Sequence, residues 1–272
     1  MKASEPYSLY WVAYFDLLGF KSIVENEREV WRVQECYATA LDKIEELKQG
    51  REIEAKWFSD TFLLYTGDVS KESFGAIEGA SGHFFRRMLS SRIPMRGCLA
   101  FSKFYAGPRR ELLGPALIAA HRETEAQEWL GFILHPEAAN RVREYEINGQ
   151  SVYDVLLRYD YREYDVAFKK TISGGPRRLV YTPINPTWKP EYAGFLCRDL
   201  DTMQRDGEGR IDRQKDTPAS EKEAEKERVR RKYENTKRFL LDTVPGLSDY
   251  LGQGNGAGPG AFSRVKRNTC DG

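Results

Sequence analysis

Two carboxylates stand where their surroundings could give them chemistry. Asp16 closes an apolar stretch, Tyr7 to Phe15, in which aromatic and β-branched residues run without a charge, and Leu17-Leu18-Gly19-Phe20 follows at once. Such a run reads as a strand buried on both faces. A carboxylate at its end, before a glycine turn and a helix start at Phe20 to Glu25, is placed to hold a cation. The free N–H groups of the turn suit phosphate. Taken alone, the stretch favours the plainer reading that Asp16 caps the helix. Asp60 interrupts the segment from Glu52 to Tyr65 as Ser59-Asp60, which reads as the tip of a β-hairpin whose second strand is Thr61 to Tyr65. One carboxylate after a buried strand and one on a neighbouring hairpin meet the requirement of a two-metal phosphoryl-transfer site, in which each bridges the cations that clamp a triphosphate.

These side chains need elements to hold them. Between them, Val30, Val33, Cys36, Tyr37, Leu41, Ile44 and Leu47 recur at helical steps, so a helix from Asn26 to Gly50 covers the sheet. In the first hairpin strand Glu52, Glu54, Lys56 and Phe58 share one face. If the pleat persists to the tip, Lys56 lies on the side of Asp60 as a candidate to touch a substrate base, or is a solvated strand lysine. A helix over Ser73 to Arg92 follows, then a strand from Met95 to Tyr105 with Arg96 and Gly97 near its start. After a short strand from Glu111 to Leu113, Gly114-Pro115 opens a helix from Ala116 to Leu130. A strand from Gly131 to His135 and a helix from Pro136 to about Tyr145 complete the pattern.

Composition bounds the alternatives. The 272 residues suffice for one large core, and 42 basic against 41 acidic residues give no global bias toward nucleic acid or membrane. No apolar run approaches the ~20 residues that span a bilayer, and the N-terminus lacks a signal h-region. Cys36, Cys98, Cys197 and Cys270 show no zinc spacing; the expected setting is cytoplasmic, with reduced thiols. His83, His121 and His135 have no metal or triad spacing, and Thr171 to Pro176 lacks the Lys-Ser/Thr of a phosphate loop.

The order strand, helix, hairpin, helix, strand, helix, strand resembles the catalytic core of the class III nucleotidyl cyclases. Asp16 to Phe20 resembles that family's first motif, Phe58-Ser59-Asp60 its hairpin motif, Met95-Arg96-Gly97 its Met-Arg-Val-Gly strand, and Leu113-Gly114-Pro115 to Arg122 its Trp-Gly to Ala-Ser-Arg helix. The resemblance implies an α+β fold of the ferredoxin or palm type, with a mainly antiparallel sheet flanked by helices. It implies Asp16 and Asp60 as carboxylates for two Mg²⁺ or Mn²⁺ ions, with the Leu17 carbonyl as a further ligand. It places the Leu18, Gly19 and Phe20 backbone on the phosphates, Arg122 on the charge of the transition state, and Lys56 and Glu111 at the base.

Ser59 departs from the family's glycine, and Ile118 from an Asn that holds the ribose in purine cyclases. The hairpin, the DLLGF opening and the short Arg-Gly strand look most like the pyrimidine cyclases of bacterial Pycsar anti-phage systems. That implies conversion of UTP or CTP to the 3′,5′-cyclic monophosphate, which activates a separate effector. It also implies a homodimer with shared sites; from the balanced charge, no DNA or membrane partner is expected. The alternatives are a purine nucleotide cyclase, a catalytically silent nucleotide-binding sensor and a palm-type polymerase. A hairpin with a single Asp disfavours the last.

The expected division is a catalytic core at 1–145, a sheet extension at 146–203, and at 204–272 a charged segment. Gln204 to Pro218 reads there as a polar linker, Ser220 to Leu241 as a helix whose charges form a solvated, salt-bridged face, and the end as a Gly-rich tail.

Overall fold

The computed structural model describes residues 8–47, 50, 52–107, 111–170, 172, 174–184 and 190–252. Strand β1 (Ser8–Leu17) runs through the middle of the sheet. Trp11, Val12, Ala13 and Phe15 are fully buried, because helices cover both of its faces. Next come α1 (Phe20–Val24), α2 (Glu27–Leu47), the hairpin β2 (Ile53–Phe58) and β3 (Thr61–Thr66), α3 (Lys71–Ser90), and the long strand β4 (Met95–Ala106). Then β5 (Leu112–Leu113), α4 (Pro115–Ala126), β6 (Phe132–Leu134) and α5 (Pro136–Arg143) lead to a small hairpin of β7 (Glu146–Ile147) and β8 (Gln150–Ser151). Helix α6 (Val152–Tyr159), β9 (Tyr161–Asp165) and β10 (Arg177–Tyr181) precede α7 (Pro190–Asp212), α8 (Ala219–Thr243) and α9 (Leu247–Gly252).

The main sheet is ordered β2-β3-β1-β4-β6-β10-β9, with β5 added to β4. Its pairs are antiparallel except β4 with β6. This is the expected α+β architecture, and β10 and β9 continue the same sheet beyond β6. Side chains alternate across β1. Phe15 points to the α2–α3 side, where Phe62 stacks on Phe84 at 4.0 Å and Tyr37 on Trp57 at 4.1 Å. Tyr14 points the other way and meets His121 of α4 edge-on at 5.2 Å. Gly97 lies opposite Phe15 in register. A Cβ on Gly97 would come within 2.4 Å of the Phe15 ring, so the rung closes only around glycine.

Three sequence expectations change. Helix α4 stops at Ala126 and not at Leu130, because Gln127 leaves the helix to bridge to Phe168. The fully buried Gln127 side chain then joins the Gly97 carbonyl, at 3.0 Å, to Trp129 Nε1, at 2.9 Å. The segment from Tyr153 to Lys170, expected wholly within a sheet extension, opens with α6 before β9. The polar, glycine-containing segment after Gln204 is helical to Asp212, and Gly207 sits where a Cβ would meet Val229 of α8 at 3.3 Å. The small residues there serve close helix packing, not a linker.

The charged face of α8 is as expected. Arg230 pairs with Glu208 and Glu223, and Lys226 with Asp212. Cys36, Cys98 and Cys197 are buried free thiols. The Gly-rich tail from 253, Cys270 and the Pro-rich turn at 185–189 lie outside the described residues. Among the described residues no helix is long and apolar enough to cross a membrane.

Candidate active site

Cross-strand register assembles the site. Asp16 on β1 lies directly opposite Thr61 on β3 and Arg96 on β4. The hairpin tip is tied to the end of β1 by a backbone bond, Leu17 N–H donating to the Asp60 carbonyl at 2.9 Å. Ser59 makes the turn with φ of 55°, a left-handed conformation in which glycine is the easier occupant. Asp16 and Asp60 therefore share one end of the sheet, close enough for the Asp60 charge to act on the Asp16 carboxyl.

Arg96 was legible only as a residue near a strand start, yet it organises this end of the sheet. Its Nε and Nη2 both donate to Asp16 Oδ2, at 2.8 and 2.7 Å, while Nη1 donates to the Glu125 and Gln127 carbonyls at 3.0 Å. An arginine inside an otherwise apolar strand needs a carboxylate in reach, and that was the signal available in MRGCLAF. Asp16 Oδ1 has no partner among the described residues. Burial pushes the Asp16 carboxyl above the usual range, Arg96 opposes the shift, and Asp60 and Glu125 add to it. A buried carboxylate with one spare oxygen beside a second carboxylate is disposed to take up a cation.

The donors fit a hard divalent ion. Mg²⁺ is commonly held by one or two carboxylates, with phosphate and water completing the shell; Asp16, Asp60 and the Leu17 carbonyl offer such a set. Among the described residues there is no group of three or more His, Cys, Asp or Glu side chains arranged for a metal; an ion held by two carboxylates would take its remaining oxygens from water or a bound molecule.

Of the turn expected to meet phosphate, Leu18 to Phe20, one N–H is already engaged. The Leu18 N–H already donates to the Pro94 carbonyl at 2.9 Å. Gly19 has φ of 74° and stands before α1, whose first N–H groups have no intrahelical acceptor. Gly19 and Phe20 thus remain for an anion.

The other expected residues stand on other elements. Lys56, in the rung of Leu63 and Tyr14, pairs with Glu54 at 3.0 Å. Glu111 lies beside the Gly107 turn, beyond the far end of β4 from Arg96. Arg122 is exposed on α4 and lines a cavity of about 730 Å³ with Ile118, Glu125 and Lys170. In a single chain, then, Asp16, Leu17, Gly19 and Asp60 come together, Glu111 lies toward the other end of β4, and Arg122 opens on a cavity that it shares with Glu125, the residue 3.3 Å from Arg96.

No protein-family model and no curated protein matches the chain. Similar solved structures include the guanylate cyclase domain of RhGC from Catenaria anguillulae in complex with GTP, at 12% identity and a TM-score of 0.44, covering 65% of this chain and 97% of that one. The guanylyl cyclase domain of the RhoGC fusion protein from the aquatic fungus Blastocladiella emersonii is 11% identical with a TM-score of 0.45, covering 64% and 95%. The adenylyl cyclase CyaB from P. aeruginosa is 15% identical with a TM-score of 0.41, covering 64% and 92%. The chemistry of this chain rests on its own residues.

Proposed function

We propose that this chain is a metal-dependent nucleotidyl cyclase. The observation that carries the reading is the joining of Asp16 and Asp60 at one sheet end, with Asp16 Oδ1 uncommitted. In the reaction the ribose 3′-oxygen attacks the α-phosphorus. The bond from 3′-oxygen to phosphorus forms, the bond to the β-phosphate oxygen breaks, and the 3′-hydroxyl proton passes to solvent. Mg²⁺ or Mn²⁺ held by Asp16, Asp60 and the Leu17 carbonyl would supply charge neutralisation at the attacking and leaving oxygens. Arg96 holds Asp16 in orientation, and the Gly19 and Phe20 N–H groups meet the phosphates.

The substrate we propose is a pyrimidine nucleoside triphosphate, UTP before CTP, whose cyclic product acts on a separate effector in anti-phage defence. This finer reading rests on the sequence resemblance. Incubating the pure protein with each of the four ribonucleoside triphosphates and Mn²⁺, then weighing the products by mass spectrometry, tests it. Cyclic UMP is expected. A purine product would remove the pyrimidine reading, and no cyclic product from any of the four would remove the cyclase reading in favour of a silent sensor.

Arg122 is exposed on α4 and makes no ion pair with Asp16 or Asp60 among the described residues, which supports sites shared between two copies related by a two-fold axis. Each site then takes Asp16 and Asp60 from one chain and Arg122 from the other. Asp16→Ala and Arg122→Ala chains, each inactive alone, are expected to recover roughly a quarter of wild-type turnover when mixed and refolded, since half the dimers are mixed and each has one intact site. An inactive mixture, with exchange demonstrated, places Arg122 in the service of its own chain.

A further inference from the structure

The C-terminal helices reach the same end of the sheet. Helix α8 docks on the segment between α4 and β6: Asn235 Nδ2 donates to the Glu128 carbonyl at 2.9 Å, Thr236 Oγ1 accepts from Leu130 N–H at 2.8 Å, and Phe239 meets Trp129 edge-on at 5.2 Å. Lys232 lies on that face of α8, since 232, 235, 236 and 239 follow the helical spacing of one side. A long helical side chain leans toward its own N-terminal turn. Lys232 therefore borders the stretch from Glu125 to Glu128 from outside, while Arg96 binds its Glu125 and Gln127 carbonyls from within. Helix α7 contributes at the neighbouring turn, where Arg210 Nη1 lies 3.8 Å from the position a Cβ on Gly19 would take.

Three neighbouring cations along this part of α8 are paired. Lys226 pairs with Asp212, Arg230 with Glu208 and Glu223, and Arg231 with Glu128 at 3.4 Å. Lys232 makes no ion pair among the described residues, although it is only partly exposed. Burial holds its ammonium below the usual lysine range, Arg96 and Lys169 press in the same direction, and Glu128 and Asp16 oppose them. A desolvated cation crowded by two others gains when a polyanion enters.

We propose that α8 is part of the active site, with Lys232 binding the polyphosphate of the substrate in its own chain, next to Asp16 and Arg96. The proposal rests on the cyclase reading for its substrate but can be tested without turnover. The probe is inorganic tripolyphosphate with Mg²⁺, followed by calorimetry on the full chain. Wild type is expected to bind. Lys232→Met, which keeps the aliphatic bulk, is expected to bind at least tenfold more weakly, with Lys232→Arg restoring most of the affinity and Arg231→Gln leaving it unchanged. Circular dichroism melts identify any variant that has lost its fold, and if Lys232→Met has, Lys232→Gln takes its place with the same tenfold loss expected.

Turnover, where present, gives a second readout: KM for the nucleotide rises in Lys232→Met more than kcat falls. Tripolyphosphate binding without any cyclic product would end the cyclase reading and leave this site standing. Cyclic product from a folded Lys232→Met chain with wild-type KM and wild-type tripolyphosphate affinity would overturn the site and leave the cyclase reading intact. Failure of wild type to bind tripolyphosphate overturns it as well.

Discussion

Two buried arginine–carboxylate pairs, one on α4 itself and one at its C-terminal end, are built differently. In Arg178–Glu123 the guanidinium fork meets both oxygens, Nε to Oε2 and Nη2 to Oε1, each at 2.9 Å, and the two side chains are 1% and 9% exposed. In Arg96–Asp16 both nitrogens converge on a single oxygen, and the side chains are 5% and 13% exposed. The first pair satisfies its carboxylate and closes the structure. The second leaves Oδ1 without a partner among the described residues. Equal chemistry at two places thus yields a fastening in one case and an open ligand in the other, and the number of bonded oxygens makes the difference.

The largest expected effect falls on the open pair. Asp16→Ala or Asp60→Ala is expected to lower cyclic nucleotide formation by more than ~10²-fold, beyond what loss of an outer-sphere partner costs, with the far-ultraviolet circular dichroism unchanged. A variant that still cyclises near the wild-type rate would sink the metal assignment. The closed pair carries stability instead. Arg178→Ala strands Glu123 in a buried position and is expected to cost about 3–5 kcal/mol in denaturant unfolding. Asp16→Ala costs less, because Arg96 keeps Glu125 at 3.3 Å and two backbone carbonyls. Equal losses for the two variants would erase the distinction between the pairs.

The smallest effect is a pH dependence. Because burial raises the Asp16 carboxyl in the folded chain, the folded state holds that proton more tightly than the unfolded one. Its contribution to stability is complete below the ordinary aspartate value of about 3.9 and is lost as pH rises through the raised folded value. A cation on the ionised form reverses the loss. The increase in Tm produced by Mn²⁺ is expected to grow with pH across that window and then level off, and to shrink in Asp16→Asn. An increase that is flat with pH, or the same in the variant, would detach Asp16 from the cation.

Much of this was legible before any coordinates. The uncharged run before Asp16 and the two-residue alternation around Ser59-Asp60 are local signals, and local signals gave the strands, the hairpin and the placement of both carboxylates. What escaped depends on register and helical phase. Nothing near Arg96 in the chain says that it faces Asp16, because that pairing spans 80 residues. Lys232 was hidden within a charged run that reads as solvated throughout. Only the docking of Asn235 and Thr236 shows that it lies on the inner side. Gly207 read as a linker signal because composition cannot tell a flexible glycine from one that lets two helices approach.

The central place of β1 also bears on how the chain is made. Its strand leaves the ribosome before either of its neighbours, and one of them, β4, lies about 80 residues later, a delay of ~4–16 s at ~5–20 residues per second. During that interval Leu9 to Phe15 has no charge, proline or glycine to discourage intermolecular pairing. The strand that the folded protein shields most completely is therefore its greatest liability during translation, and early docking of β3 is its first protection.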